Sequence, residues 1–252
     1  EVRDFGLPTC QVSCWQRSLM NDEIADRLAA AAQEHEVEIT TIWTGMEGPH
    51  IWDFEQGPVL IGLVPPATQA ERVATLKQGA DFAVRVGVPS ITTHAGFIPE
   101  NLTDPLYPPL IAALREATAY CAERGISLWF ETGQETPVVL LRLFEDLGLD
   151  NVGVNLDPAN LLMYGKANPV DALDLLGKYI RGVHAKDGEY PTAGRVLGVE
   201  KPLGEGRVNF PVLIAKLKAL GYSGALTIER EITGPQQIKD IQHAIAFLSK
   251  LL

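Results

Sequence analysis

The chain has 252 residues, is 46% hydrophobic and carries a formal net charge of −11. That is enough apolar side chain for one large core, and the wrong sign for a nucleic-acid partner, whose binding rests on clustered Lys and Arg. No apolar stretch approaches the roughly 18 to 20 uncharged residues of a membrane span, and the opening EVRDFGLP lacks the basic and apolar regions of a signal peptide, so the expected location is the cytoplasm. Cys10, Cys14 and Cys121 form an odd set without CxxC spacing and read as reduced thiols.

Apolar, β-branched runs alternate with amphipathic stretches along the whole chain, which is the rhythm of βα units. In chain order the runs predict strands at Thr9–Cys14, Glu38–Trp43, Ser90–His94, Ser127–Glu131, Val152–Leu156, Gly182–Ala185 and Ala225–Glu229. Helices are predicted between them at Asn21–His35, Ala67–Val86, Leu106–Arg124, Pro137–Leu147, Pro169–Leu176, Phe210–Leu220 and Pro235–Leu251. There is no low-complexity linker and no break in composition, so residues 1–252 read as a single α/β domain, a (β/α)8 TIM barrel. Seven strands are found where a closed barrel needs eight. The opening EVRDFGLPTCQVSC reads as a helix end, a Gly turn and a strand, the same join as AERGISLWF and KALGYSGALTI. The expectation is therefore a barrel whose first βα unit is missing from this chain or atypical. The alternative is that Glu1 to Phe5 supply a short irregular strand.

Glu131, Asp157, His184 and Glu229 each close a separate apolar run, in LWFET, VGVNLD, RGVHAKD and ALTIERE. Parallel barrel strands direct their C-terminal ends to one rim, where residues distant in sequence converge. Three carboxylates and an imidazole make a mainly oxygen donor set, suited to a divalent cation, with Mn²⁺ foremost and Mg²⁺ or Co²⁺ also compatible. Any one of these acids alone could equally form a salt bridge on the rim. Four carboxylate or imidazole groups clustered without a cation would be strongly disfavoured.

Other residues reach the same rim. His94 ends SITTH and could donate a hydrogen bond to a substrate oxygen. Alternation puts Lys186 on the face of His184, where it could approach a substrate or neutralise a carboxylate; pairing with Asp187 or Glu189 is the structural alternative. The loop WTGMEGPHIWDF carries Trp43, His50, Trp52 and Phe54, whose aromatics either wall a sugar ring or pack the loop onto the barrel. His35 and His243 fall in helical stretches as scaffold residues. In PLGEGRVNF, Gly204 and Gly206 permit a tight path, Asn209 can cap the following helix, and Arg207 is either a ligand for a substrate anion or a surface arginine.

The motifs FETG, NLDPAN, VHAKD, PLGEGRVNF and TIERE, in this order, resemble the xylose-isomerase-like superfamily of sugar isomerases and epimerases. The resemblance spans nearly the whole chain. It implies a divalent metal held by Glu131, Asp157, His184 and Glu229, with the two glutamates as the acid/base pair and Glu135 orienting a substrate hydroxyl. It also favours a homodimer or homotetramer. Two positions depart from the ketose 3-epimerases: Asn160 and Tyr190 stand where those enzymes commonly carry His and Arg to grip the ketose, which leaves Asn160 as a candidate substrate contact. The endonuclease branch needs more histidines and a basic face, and this acidic chain has five His.

The expected activity is isomerisation or epimerisation of a small ketose, keto-sugar or cyclitol by proton transfer through a metal-stabilised enediolate. The same groups would also serve elimination, as in a dehydratase or a lyase acting on a keto-glycoside. A non-catalytic sugar-binding barrel is the remaining alternative.

Overall fold

A computed structural model describes residues 2–252; Glu1, part of the alternative N-terminal strand, lies outside them. Arg3–Phe5 form one 3-10 turn closed by Gly6 in the left-handed conformation (φ 71°), so these residues end a helical turn rather than supply a strand.

The strands that follow are β1 (Thr9–Cys14), β2 (Glu38–Thr44), β3 (Ser90–Thr93), β4 (Ser127–Glu131), β5 (Val152–Leu156), β6 (Ile180–Ala185), a hairpin of β7 (Asp187–Gly188) and β8 (Glu200–Lys201), and β9 (Leu226–Ile228). Helices are α1 (Asp22–Glu34), α2 (Gly57–Leu60), α3 (Pro66–Val86), α4 (Tyr107–Ala122), α5 (Pro137–Leu147), α6 (Pro158–Met163), α7 (Pro169–Leu176), α8 (Phe210–Ala219) and α9 (Pro235–Leu248). Seven strands make one sheet in the order β1-β2-β3-β4-β5-β6-β9, and β7 pairs with β8 antiparallel. Thus, among the described residues, the main sheet has one strand fewer than a closed eight-stranded barrel.

The contacts group into two compact units. The first holds β1 to β4 with α1 to α4. Its strands pair in parallel, Ile42 opposite Ile91 and Ile91 opposite Leu128, and all three are fully buried. Each such side chain contributes roughly 1.5–3 kcal/mol by leaving water. Pro66 opens α3 and Gly87 (φ 87°) ends it. Gly79 lets that helix lie close to β2, because a Cβ there would sit 2.6 Å from Thr44 Oγ1.

The second unit holds α6 to α9 and β6 to β9. Here α7 packs on α8 and α6 on β7, with Leu173, Leu176, Val183, Phe210 and Leu213 buried. A single carboxylate organises its longest loop: Asp187 accepts backbone N–H groups from Gly188 (2.8 Å), Gly204 (3.0 Å), Gly206 (3.1 Å) and Val208 (3.1 Å). Gly206 is required there, since a Cβ would fall 2.2 Å from Asp187 Oδ1. Asn209, expected to cap α8, instead adopts φ 60° without a side-chain cap bond. The Asp187 carboxylate already binds the loop leading into the helix. No helix among the described residues is long and apolar enough to cross a membrane.

Candidate metal centre

Glu131 closes β4 and is 3% exposed. Its Oε2 accepts a short hydrogen bond from the Trp43 indole N–H at the end of β2. His94, one residue past β3, places Nδ1 3.2 Å from the Glu131 carbonyl oxygen and Nε2 3.8 Å from Oε1. Trp52 stands edge-on to His94 (5.1 Å) and Trp15 packs on Trp43 (4.7 Å). His50 gives Nε2 to Met46 O at 2.7 Å. The void among Trp15, Trp43, His50, Trp52, Arg72 and His94 is about 20 Å³, space for a water but not a sugar ring. These aromatics pack the loop and brace Glu131, and Phe54 lies apart from them, edge-on to Tyr164 at 6.1 Å.

Asp157 follows β5, is fully buried and caps α6 by accepting the Asn160 N–H at 2.8 Å. The positive end of a helix favours a carboxylate there. Thr132 fixes the Asp157 backbone twice, its hydroxyl donating to the carbonyl and accepting the N–H, both at 2.8 Å. On β6, His184 directs Nδ1 at Glu229 Oε2 (2.9 Å) and Asp157 Oδ2 (3.7 Å), while the Asn155 amide holds Nε2 at 2.9 Å. Lys186, 2% exposed, brings Nζ to Glu231 Oε2 (2.9 Å), Glu229 Oε2 (3.3 Å) and Asp157 Oδ2 (3.4 Å). Burial alone would raise the Glu229 pKa, but the charges of His184 and Lys186 outweigh it and hold that carboxyl well below the usual range. Glu131, Asp157, His184 and Glu229 each offer one ligand atom, and these atoms all lie within 4.8 Å of one another.

Of the other expected site residues, Glu135 is buried (2% exposed), and Asn160 Oδ1 lies 3.4 Å from Lys186 Nζ. Arg207 is exposed, and its backbone N–H, donating to Gly188 O at 2.9 Å, ties down the loop. Asp187 holds backbone amides and Glu189 pairs with Lys201 at 3.4 Å, while Lys186 faces Glu231, Glu229 and Asp157. His243 bonds Leu203 O at 3.1 Å, a scaffold role. Sequence reasoning passed over Trp43, Asn155 and Glu231 as partners of the four. Asn155 and Glu231 stand two residues from Asp157 and Glu229, the spacing that returns a strand's side chains to one face; Trp43 carries no such signal.

Residues 1–251 match the family described as xylose isomerase-like TIM barrel. The chain belongs to that family. A xylose isomerase domain protein from Planctomyces limnophilus is 36% identical, with a TM-score of 0.95 over 99% of this chain and 90% of that one. The uncharacterized protein MJ1311 of Methanocaldococcus jannaschii is 27% identical over 182 residues, 66% of this chain, and the match spans 60% of that relative. More remote structures share the fold at 20% identity. They include a D-tagatose 3-epimerase-like protein (TM-score 0.73, 97% of this chain, 90% of that one) and a Mycobacterium smegmatis protein in complex with magnesium (TM-score 0.70, 100% and 87%). The fold is thus that of the xylose isomerase-like TIM barrels, with seven strands in the main sheet among the described residues.

The donor set fits a divalent cation of the kind the family implies. Three carboxylates and one imidazole are oxygen-rich and contain no thiolate. The Lys186 ammonium lies against Asp157 and Glu229, and the two positive charges of a divalent cation would offset more of the negative charge gathered there. His184 presents Nδ1 to the carboxylates and leaves Nε2 beside the Asn155 side-chain amide, a contact that fixes the orientation of the ring.

Proposed function

We propose that this chain is a divalent-metal-dependent isomerase or epimerase of a small keto-sugar or cyclitol, with Mn²⁺ as its first-choice metal. The observation that carries this reading is the cluster of Glu131, Asp157, His184 and Glu229, the first three buried and Glu229 half-buried, with a buried lysine beside it. Structural neighbours that are sugar epimerases, and one bound to magnesium, support the reaction class.

A bound divalent cation would supply Lewis-acid polarisation of the substrate carbonyl, which lowers the cost of removing a proton from the adjacent carbon. The protein's own groups do the rest. Glu229, kept ionised by the Lys186 ammonium at 3.3 Å, accepts the proton as the C–H electron pair moves to the carbonyl oxygen. Glu131, braced by Trp43, is the second acid/base group: starting protonated, it gives its own proton to the opposite face for epimerisation, whereas return of the abstracted proton from Glu229 to the neighbouring carbon serves isomerisation. Glu131, Asp157, His184 and Glu229 would hold the metal, while His94, Glu135, Asn160 and Lys186 bind and orient substrate oxygens.

Proton NMR in D₂O over a panel of ketoses, ketoinositols and keto-sugars, with Mn²⁺ and against a metal-stripped control, tests the reading. Metal-dependent deuterium wash-in next to a carbonyl is the expected result. A product one water lighter without wash-in would replace isomerisation by elimination.

A further inference from the structure

Independently of the reaction proposed above, we infer that Arg72 holds a monatomic anion, chloride in class, in the void lined by the rings of Trp15, Trp43, His50, Trp52 and His94. Arg72 lies in α3 and is 6% exposed. A guanidinium cannot shed its proton, and burying it without a negative partner costs several kcal/mol. Among the described residues no carboxylate comes within ion-pair distance of it. Burial pulls its pKa down, and the opposing charge is that of Glu71, an exposed chain neighbour.

The hydrogen bonds of Arg72 point the same way. Its Nη1 donates to Gly62 O in a short bond and its Nη2 to Leu60 O at 2.5 Å. Those carbonyls, at the end of α2, carry partial negative charge only, so they satisfy N–H groups and leave most of the cation unbalanced. The Nε–H is buried and has no acceptor among the described residues, which costs a further 1–3 kcal/mol or so if it stays unmet. A water beside it would accept that hydrogen bond and leave the charge. An anion answers both.

Size and lining select the anion. The void is about 20 Å³, room for a single particle of about the size of a water. A halide fits that description, whereas a phosphate or the carboxylate of a metabolite does not. No acidic side chain lines the void to repel it. Bound there, the anion ties Trp52 and His50 of the β2–α3 loop to Arg72, which already grips that loop through Leu60 and Gly62. Trp43 and His94, which line the same void, are the rings that touch Glu131, so the anion also backs the side chains that brace this ligand.

Urea unfolding of the metal-stripped chain at constant ionic strength, with gluconate replaced stepwise by chloride, reads the site in solution. The midpoint should rise and level off, by about 1 M urea once chloride stands a hundredfold above its Kd, and bromide should act as chloride does. Arg72→Met should abolish the rise. Because that variant also loses two bonds to the loop, anomalous scattering from crystals of the unsubstituted protein grown in bromide locates the ion without it, and the expected peak lies at Arg72 Nε. A midpoint indifferent to chloride, a rise that persists in Arg72→Met, or density at Arg72 Nε without an anomalous signal overturns the inference. A bromide peak without any effect of chloride in solution is binding at crystal concentration only and overturns it as well.

Discussion

Replacing Lys186 with Met should make the stability of the fold depend on the metal. Its Nζ lies 3.3 Å from Glu229 Oε2 and 3.4 Å from Asp157 Oδ2, and at an effective dielectric of about 20 each pair is worth roughly 5 kcal/mol before desolvation. Desolvating the ammonium costs several kcal/mol in return, and removing one partner of a buried pair commonly costs about 3–5 kcal/mol. Here the side chains of Glu229 and Glu231 remain 30% and 60% exposed, so water takes up part of the lost charge and the cost falls mainly on Asp157, at 0%. The net loss without metal is therefore about 2–3 kcal/mol. A divalent cation supplies the missing charge, so saturating Mn²⁺ should stabilise Lys186→Met by more than it stabilises the unsubstituted protein. Urea unfolding in EDTA and in Mn²⁺ measures both quantities. Equal stability of the two proteins in EDTA, or equal gains on adding Mn²⁺, would refute the reasoning.

Trp43→Phe removes the indole donor to buried Glu131, and calorimetry should find Mn²⁺ binding weakened by about tenfold; unchanged affinity would show that this bond does not orient the ligand. Asp187→Ala strips the acceptor from four backbone N–H groups and should cost about 2–4 kcal/mol in urea unfolding, whereas a loss under about 1 kcal/mol would mean that water replaces the carboxylate freely. The Glu229 carboxyl is depressed in the fold by His184 and Lys186, against the opposing effect of burial. Its contribution to stability is thus complete above the unfolded value of about 4.3 and disappears as pH falls through the lower folded value. Glu229→Gln should flatten the acid limb of the stability curve below about pH 4.5, and superimposable limbs for the two proteins would contradict this.

The strands were legible because each is an apolar, β-branched run with a turn signal on either side. Ser127–Glu131 and Val152–Leu156 coincide with their sequence-based bounds. The four ligand candidates were legible for the same reason: each stands at the end of such a run, and a parallel sheet brings those ends together. Short elements escaped. Pro158–Met163 is six residues, too few for helical periodicity to register, and the hairpin strands have two residues each. Long-range partner choice also escaped. Nothing in WTGMEGPH marks Trp43 as the donor to a carboxylate 88 residues away, and Lys186 faces Glu231, Glu229 and Asp157 while its chain neighbour Asp187 holds backbone amides. Asn209 has the residue type of a helix cap, but its left-handed backbone forms no cap bond.

The most direct test of the account is a titration of metal-stripped protein with Mn²⁺, followed by calorimetry and by the loss of the free-ion EPR signal, for the unsubstituted chain and for Asp157→Asn and His184→Gln. The account predicts one Mn²⁺ per chain and a large loss of affinity in both variants, with circular dichroism unchanged. Binding of the same stoichiometry and strength in both variants would place the metal elsewhere and contradict the central claim.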